Sequence, residues 1–170
     1  TYDRGKVMDA EMLERMEFAR YRDVDGDGIP WRTIPGTHPE KGAYFTRGTS
    51  HTDTGGYTED GVVNARNLAR IAKKIVTAKG LVPRPVIRDI SAKSRLAIVN
   101  FGSTEPAVAE AIDLLARAGH GLNHMRIRAF PFTDEVTAFA ARHDYLFVVE
   151  QNRDAQMRHL LIAEAGIPAE

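Results

Sequence analysis

Three aspartates stand at alternate positions in the segment DVDGDGIP, where Asp23, Asp25 and Asp27 precede Gly28. Oxygen ligands at positions 1, 3 and 5 and a glycine at position 6 form the first half of an EF-hand calcium loop. Position 12, which requires a bidentate glutamate, is occupied by Ile34. Asp-Gly pairs also form sharp turns, because glycine accepts a positive φ and aspartate bonds to nearby backbone. The sequence therefore favours a turn and leaves the aspartates as weak metal candidates.

A second group of reactive side chains lies in the segment GTHPEKGAYFTRGTSH, which contains His38, Arg47 and His51. The guanidinium of Arg47 can grip a carboxylate or phosphate with two hydrogen bonds. The two histidines lack the cysteines or acidic cluster of a zinc site. We predict that these three residues contact an anionic substrate or another chain. The alternative is a loop whose polar groups satisfy one another.

Two further candidate loops follow apolar segments at which strands are expected to end. They contain Gly102, Ser103 and Thr104 in NFGST, and Glu150, Asn152 and Arg153 in VVEQNRD. Ligands and partners of parallel sheets meet such loops at the carboxyl ends of the strands. NFGST can hold an anion at a helix N-terminus or simply cap the helix, since it lacks the spacing of a nucleotide-binding motif. Glu150 and Arg153 either contact another subunit or form a local ion pair.

No complete active site is visible in the sequence. A Ser/His/Asp trio, a paired-carboxylate motif and the H-E-x-x-H pattern are all missing. We therefore name no catalytic residue. The remaining histidines are expected on the surface or at helix ends, and they are His120, His124, His143 and His159.

The composition of the chain limits the classes of partner and cofactor that it can bind. The chain has 23 Lys plus Arg against 23 Asp plus Glu, so its formal net charge of +0 favours neither nucleic acid nor membrane as a partner. With no cysteine, the 170 residues have no disulfide, thiolate nucleophile or cysteine ligand for a cluster. No apolar run reaches the length of a membrane span, and we expect a cytoplasmic protein. The chain begins at Thr1, and we expect it to be part of a longer one.

The first half of the chain must position the aspartates and the histidine-containing segment. Met8, Met12, Met16 and Ala19 recur at helical spacing, with Asp9 as a plausible N-cap. Residues 23–61 show no sustained period but contain several aromatics, which is typical of a functional loop or an interface arm.

A helix is predicted after the arm and is closed by Gly80. One face of it carries Leu68, Ile71, Ala72 and Ile75, and the basic residues lie mostly on the other. An extended linker with two prolines follows it.

The second half of the chain predicts an α/β domain. The strand segments RLAIVNF, HMRIRAFPF and YLFVVEQ alternate with three helices, the second opened by Thr133 and the third closed by Gly166. This alternation indicates right-handed crossovers and a small parallel sheet with helices on its faces. We therefore predict two domains, residues 1–94 and 95–170, with the second short enough to be truncated.

Three segments resemble a known family. DVDGDGIPWRTIPGTHPEKGAYFTRGTSH, YTEDG and YLFVVEQNRDAQMRHLL are similar to the C-terminal portion of the alpha subunit of 2-oxoacid:ferredoxin oxidoreductases of the 2-oxoglutarate type. The resemblance implies that residues 1–94 are the end of a pyrimidine-binding domain with its arm and linker helix. It also implies that residues 95–170 resemble the C-terminal domain of transketolases.

The family converts a 2-oxoacid and coenzyme A to an acyl-CoA and passes electrons to ferredoxin. The resemblance implies thiamine diphosphate, magnesium and an iron–sulfur cluster in the full complex, held mainly by the beta subunit, with none bound by this segment alone. The segment would then be inactive by itself and serve as scaffold and subunit interface. The resemblance favours 2-oxoglutarate, with pyruvate and other 2-oxoacids left open. Two alternatives remain: a non-enzymatic module that docks a partner or anion at NFGST, and a calcium-responsive module.

Overall fold

The computed structural model describes residues 3–169, and the chain divides into two compact units, residues 1–78 and 79–170. This boundary lies earlier than the expected one after residue 94. The physical reason is a short strand, β1 (Val86–Arg88), which pairs antiparallel with a strand of the second unit. The segment interpreted as a linker therefore belongs to the sheet. The assignment of the first unit to a pyrimidine-binding domain stays a prediction.

The first unit opens with a short helix, α1 (Ala10–Arg15). Asp9 caps it as predicted, because its Oδ1 accepts a hydrogen bond of 2.8 Å from the amide of Met12. The helix is shorter than the methionine spacing suggested, since Met16 already has extended backbone angles. Met8, Leu13 and Ala19 are buried in this unit.

The arm that follows has turns, bends and isolated bridges, including one between His51 and Tyr57, and no helix or strand over residues 16–60. It leads into α2 (Gly61–Lys79). Among the described residues, no helix is both long enough and apolar enough to cross a membrane.

The second unit contains a four-stranded sheet in the order β1-β3-β2-β4. The other strands are β2 (Leu96–Phe101), β3 (Asn123–Ile127) and β4 (Tyr145–Val149). β2 pairs in parallel with both β3 and β4, which confirms the predicted parallel α/β arrangement. The antiparallel edge strand β1 was not predicted, because its three residues follow two prolines and carry little periodic signal.

Helices cover both faces of this sheet and make three layers. α3 (Glu105–Arg117) packs Val108 and Ile112 against Ile98. On the other face, residues of α4 (Asp134–Ala140) and α5 (Gln156–Ala165) pack against Ala97 and Val99. Alternate residues of β2 thus enter different cores, as the pleat of a strand requires. Gly166 closes α5 with φ 63°, as expected from its position.

Candidate functional site

The carboxyl edge of the sheet brings the two predicted strand-end loops together. Asn100 of β2 is in register with Val149 of β4, so the loops containing Gly102 and Glu150 leave the sheet side by side. β3 ends beside them, because Ile127 is in register with Phe101. Three consecutive parallel strands therefore deliver their loops to one edge, the usual position of sites in open α/β sheets.

The NFGST loop forms a tight 3-10 turn over Gly102–Thr104 and runs directly into α3. Neither Ser103 nor Thr104 caps α3 with its side chain. The hydroxyl of Thr104 instead donates to the carbonyl of Phe101 at 2.7 Å and accepts from Asn100 Nδ2 at 3.3 Å. Thr104 therefore occupies the N-cap position of α3 as the sequence allowed, but its hydroxyl is engaged behind the helix start and does not cap the first turn.

A buried polar cluster lies under this loop, and sequence reasoning missed it. Asn100 and His124 are completely buried on neighbouring strands, and His124 Nε2 lies 2.8 Å from Asn100 Oδ1. Asn100 Nδ2 donates to Glu105 Oε2 at 3.0 Å, at the start of α3. Two arginines extend the cluster, with Arg88 at 3.5 Å and Arg126 at 3.9 Å from the Glu105 carboxylate. The available signal was an asparagine inside the apolar strand LAIVNF and a histidine opening the next strand.

His124 contradicts the expectation of a surface position. Because Asn100 offers an oxygen, the neutral ring protonated at Nε2 fits the contact, and Nδ1 is left buried without a partner. Burial lowers the pKa of His124; the nearby Glu105 carboxylate opposes the shift, and Arg88 and Arg126 add to it. The ring is therefore a hydrogen-bond donor within the fold and is not positioned as an exposed base.

Glu150 has a structural role that the sequence did not indicate. Its carboxylate accepts the amides of Met157 at 3.0 Å and Arg158 at 3.1 Å in the first turn of α5, and the side chain of Asn152 at 2.9 Å. Burial alone would raise the pKa of Glu150, but these hydrogen bonds hold it below its ordinary value. Arg153 pairs instead with Asp154 at 2.8 Å. Glu150 therefore caps the first turn of α5 from the preceding strand end.

A cavity of about 760 Å³ lies along β4 and α5 beside this cap. Its lining includes Tyr145, Phe147, Glu150, Asn152 and Arg158. β4 is an edge strand of the sheet, so the cavity opens along a strand whose outer side has no neighbour in the described structure.

The structure gives each arm candidate a separate local contact. His38 Nε2 bonds to Glu14 Oε1 at 2.6 Å. His51 stacks on Tyr21 with ring centroids 3.8 Å apart. The guanidinium of Arg47 lies 5.9 Å from the centroid of the Tyr57 ring.

No hydrogen bond recorded within residues 3–169 joins His38, Arg47 and His51 to one another. Their contact with substrate or another chain stays a prediction.

The aspartates of the opening segment are occupied by an internal cation. Lys6 Nζ lies 2.6 Å from both Asp25 Oδ2 and Asp27 Oδ2, and 3.2 Å from the carbonyl oxygen of Ile29. Asp23 accepts the amides of Asp27 and Gly28, which closes the turn. This ammonium supplies the positive charge that a calcium ion would bring to such a loop.

The pKa directions agree with that geometry. Burial alone would lower the pKa of Lys6, but the hydrogen bonds to the two aspartates raise it. The hydrogen bond from Lys6 lowers the pKa of Asp25 and of Asp27. In the part of the chain that the structure describes, no group of three or more His, Asp or Glu side chains is arranged to hold a metal ion.

Comparisons with known proteins find a curated relative of the chain. The chain is 26% identical over 168 residues to the alpha subunit of 2-oxoacid:ferredoxin oxidoreductase 2 of Aeropyrum pernix. The match covers 96% of this chain and 25% of that protein, so the chain spans a quarter of its curated relative, in its C-terminal part. No family model matches the chain.

A solved structure gives the same fold. The 2-oxoglutarate:ferredoxin oxidoreductase from Magnetococcus marinus, solved with 2-oxoglutarate, coenzyme A and succinyl-CoA bound, matches with a TM-score of 0.77 and 22% identity. The match covers 95% of this chain and 27% of that chain. The curated relative confirms the resemblance to the C-terminal portion of the alpha subunit, and the solved structure confirms the α/β fold class.

Proposed function

We propose that this chain is part of a 2-oxoacid:ferredoxin oxidoreductase that forms an acyl-CoA from a 2-oxoacid, with 2-oxoglutarate as the favoured substrate. Within that enzyme the segment serves as scaffold and as subunit interface, and the beta subunit is its partner. The similarity over almost the whole chain to an alpha subunit carries the proposal. The substrate preference rests on the relative solved with 2-oxoglutarate and coenzyme A.

An exposed apolar surface on the sheet supports the interface role. We call it the β4 face, and it consists of Leu96, Tyr145, Phe147 and Val149, which are 38%, 65%, 52% and 37% exposed. The register of β4 on β2 places them on the same side as Ile98, which α3 covers. α3 thus buries the centre of this side and leaves its edge open. A contiguous apolar strip on an edge strand is characteristic of a protein contact.

The side chains that could act as ligands determine which cofactors of such an enzyme this chain can hold. An iron–sulfur cluster is ligated by cysteine thiolates, and these 170 residues contain no cysteine. Asp25 and Asp27, in the loop that most resembles a cation site, are paired with Lys6. The chain's side chains therefore do not fit the cluster, and the opening loop does not fit magnesium. We assign the cluster, magnesium and thiamine diphosphate to other parts of the complex.

The docking-module alternative depends on an anion or a partner at the NFGST loop. The negative charge at that edge is already supplied by Glu105, which faces Arg88 and Arg126. An external anion would have to compete with this carboxylate for the same guanidinium groups. The scaffold role therefore explains the charges at this edge of the sheet without an added anion.

The test purifies the native-length protein from its source and assays viologen-dye reduction with 2-oxoglutarate, pyruvate and branched 2-oxoacids. Turnover that requires coenzyme A, together with a cluster-bearing second chain, is the expected result. A lone colourless protein without turnover would contradict the proposal and favour the docking module.

A variant of the β4 face then tests the interface. Phe147→Glu should release the second chain, because a carboxylate would be buried in an apolar contact. The matched control is Lys93→Glu, at an exposed position in the loop before β2, and it should leave the complex intact. Equal recovery of the second chain with both variants would remove the β4 face from the interface.

A further inference from the structure

α2 packs on its own unit with its polar side. Asn67 Nδ2 donates to the carbonyl of His51 at 2.6 Å, and Thr77 Oγ1 donates to the carbonyl of Asp27 at 2.6 Å. Arg70 reaches the carbonyl of Gly28 at 3.2 Å. Positions 67, 70 and 77 lie on one side of a helix with 3.6 residues per turn. Three side-chain hydrogen bonds to arm carbonyls therefore fix this helix.

The apolar side of the same helix points away from these contacts. We call it the α2 stripe, and it consists of Leu68, Ile71, Ala72, Ile75 and Val76. Leu68 is 59% exposed, Ile71 and Ile75 are 42% exposed, and Val76 is 73% exposed. Amphipathic helices normally turn such a stripe towards a core, and each aliphatic side chain fully buried gains about 1.5–3 kcal/mol. A contiguous stripe left in water indicates that another surface covers it.

The charges around the stripe have a single sign. α2 contains five basic residues and no acidic residue over Gly61–Lys79. Arg66 lies 3.6 Å from Asp53, and Lys79 pairs with Asp134. Lys73 makes no ion pair in the described part of the chain, and helical geometry places it on the flank of the stripe beside Val76. Lys74 also makes none, but it lies on the side of the helix that contacts the arm. A covering surface that is apolar at its centre and acidic along the border that faces Lys73 complements this pattern.

We propose that the α2 stripe is a docking surface for a companion chain of the oxidoreductase, which contributes an amphipathic segment bordered by Asp or Glu. This inference rests on the proposed function and adds a second interface, on the first unit. A second copy of α2 fits poorly, because it would bring lysines against lysines. An anionic membrane is the competing occupant, and the vesicle experiment described below tests it.

These 170 residues contain no cysteine, so a cysteine introduced here adds a single labelling site to this part of the chain, and mass spectrometry of the peptide that contains it reports that site separately. Val76→Cys in the native-length protein is treated with a maleimide, alone and in the purified complex. Ala111→Cys, at an exposed position of α3, is the matched control. We expect the complex to slow labelling at position 76 at least tenfold and to leave position 111 unchanged. Equal labelling at position 76 in a complex that still reduces dye would overturn the inference and leave the proposed function standing.

Charge variants identify what covers the stripe. Ile71→Glu should weaken association with the companion chain at least tenfold, and Lys73→Glu should weaken it and reduce its dependence on salt. Ala111→Glu adds the same charge on α3 and should have no effect. Protection of position 76 by vesicles rich in phosphatidylserine, or by raised concentration of the protein alone, would overturn the inference in favour of a membrane or a second copy. Failure to recover any companion chain or turnover would remove both proposals together.

Discussion

Replacing His124 with glutamine should remove a pH dependence from the stability of the second unit. His124 is fully exposed to solvent only when the chain unfolds, and its ordinary pKa is 6.5. In the native state, burial lowers the pKa of the ring, with Glu105 opposing the shift and Arg88 and Arg126 adding to it. The unfolded chain therefore binds a proton that the native chain does not bind. The free energy of unfolding falls as the pH drops below about 6.5.

The magnitude follows from linkage. If the native ring stays neutral, lowering the pH from about 6.5 to about 5.5 removes at most about 1 kcal/mol, since one pKa unit corresponds to about 1.4 kcal/mol. His124→Gln keeps an N–H donor for Asn100 Oδ1 but does not titrate. The variant has a lower free energy of unfolding than the wild type, yet this part of the pH dependence disappears.

The assay is urea unfolding at the two pH values, followed by circular dichroism, for the wild type and two variants. His120→Gln is the matched control, because His120 is exposed. The wild type and His120→Gln should lose the same free energy between the two pH values, and His124→Gln should lose less by up to about 1 kcal/mol. Equal losses in all three proteins would refute the assignment of a neutral buried ring.

Four other substitutions test local structure. Glu150→Ala should lower the free energy of unfolding by about 0.5–2 kcal/mol, because it uncaps α5. The pKa of Glu150 is lowered in the fold, so the stabilisation is present at neutral pH and disappears as acid protonates the carboxyl. Urea titrations at two pH values would detect this loss. Lys6→Met should destabilise the first unit and make its melting temperature rise with millimolar calcium. If calcium raised the melting temperature of the wild type equally, the Lys6 ammonium would not be replacing a cation. Gly26→Ala should lower the free energy of unfolding by about 1–2 kcal/mol, because position 26 has a positive φ. Gly28→Ala should lower it by about 1–3 kcal/mol more, because a methyl group there would meet the carbonyl of Arg70 at 2.8 Å. Equal melting temperatures of the two variants would contradict that close approach.

The parallel sheet was predictable because two of its strands, β2 and β4, are apolar on both faces. LAIVNF is a continuous run in which Ala97, Ile98 and Val99 are all buried, and such a run between helices has few other interpretations. β1 has three residues of mixed exposure, so its strand character comes from pairing with β3 and is invisible locally. Length and burial on two sides therefore determined which strands the sequence revealed.

The polar contacts were harder to predict, because they join residues far apart in the chain. Lys6 reaches Asp25 and Asp27 across 19 and 21 positions, and His124 reaches Asn100 across 24. A spacing rule detects ligands within one loop, and the aspartates satisfied the first half of that rule. The ion that they hold is a side chain from outside the loop, and no periodicity encodes it. Glu150 was similarly expected to form either a local ion pair or a subunit contact, although it accepts the amides of residues seven and eight positions later.

α2 shows a different limit of periodicity. The sequence correctly separated an apolar side from a polar side, but amphipathicity alone does not say which side the chain itself covers. The arm offers carbonyl oxygens rather than apolar side chains at the contact, because residues 23–61 have little regular structure in which to satisfy them. Those oxygens require donors, and Asn67, Arg70 and Thr77 provide them. The arm therefore contacts the polar side of the helix, and the apolar stripe is left exposed.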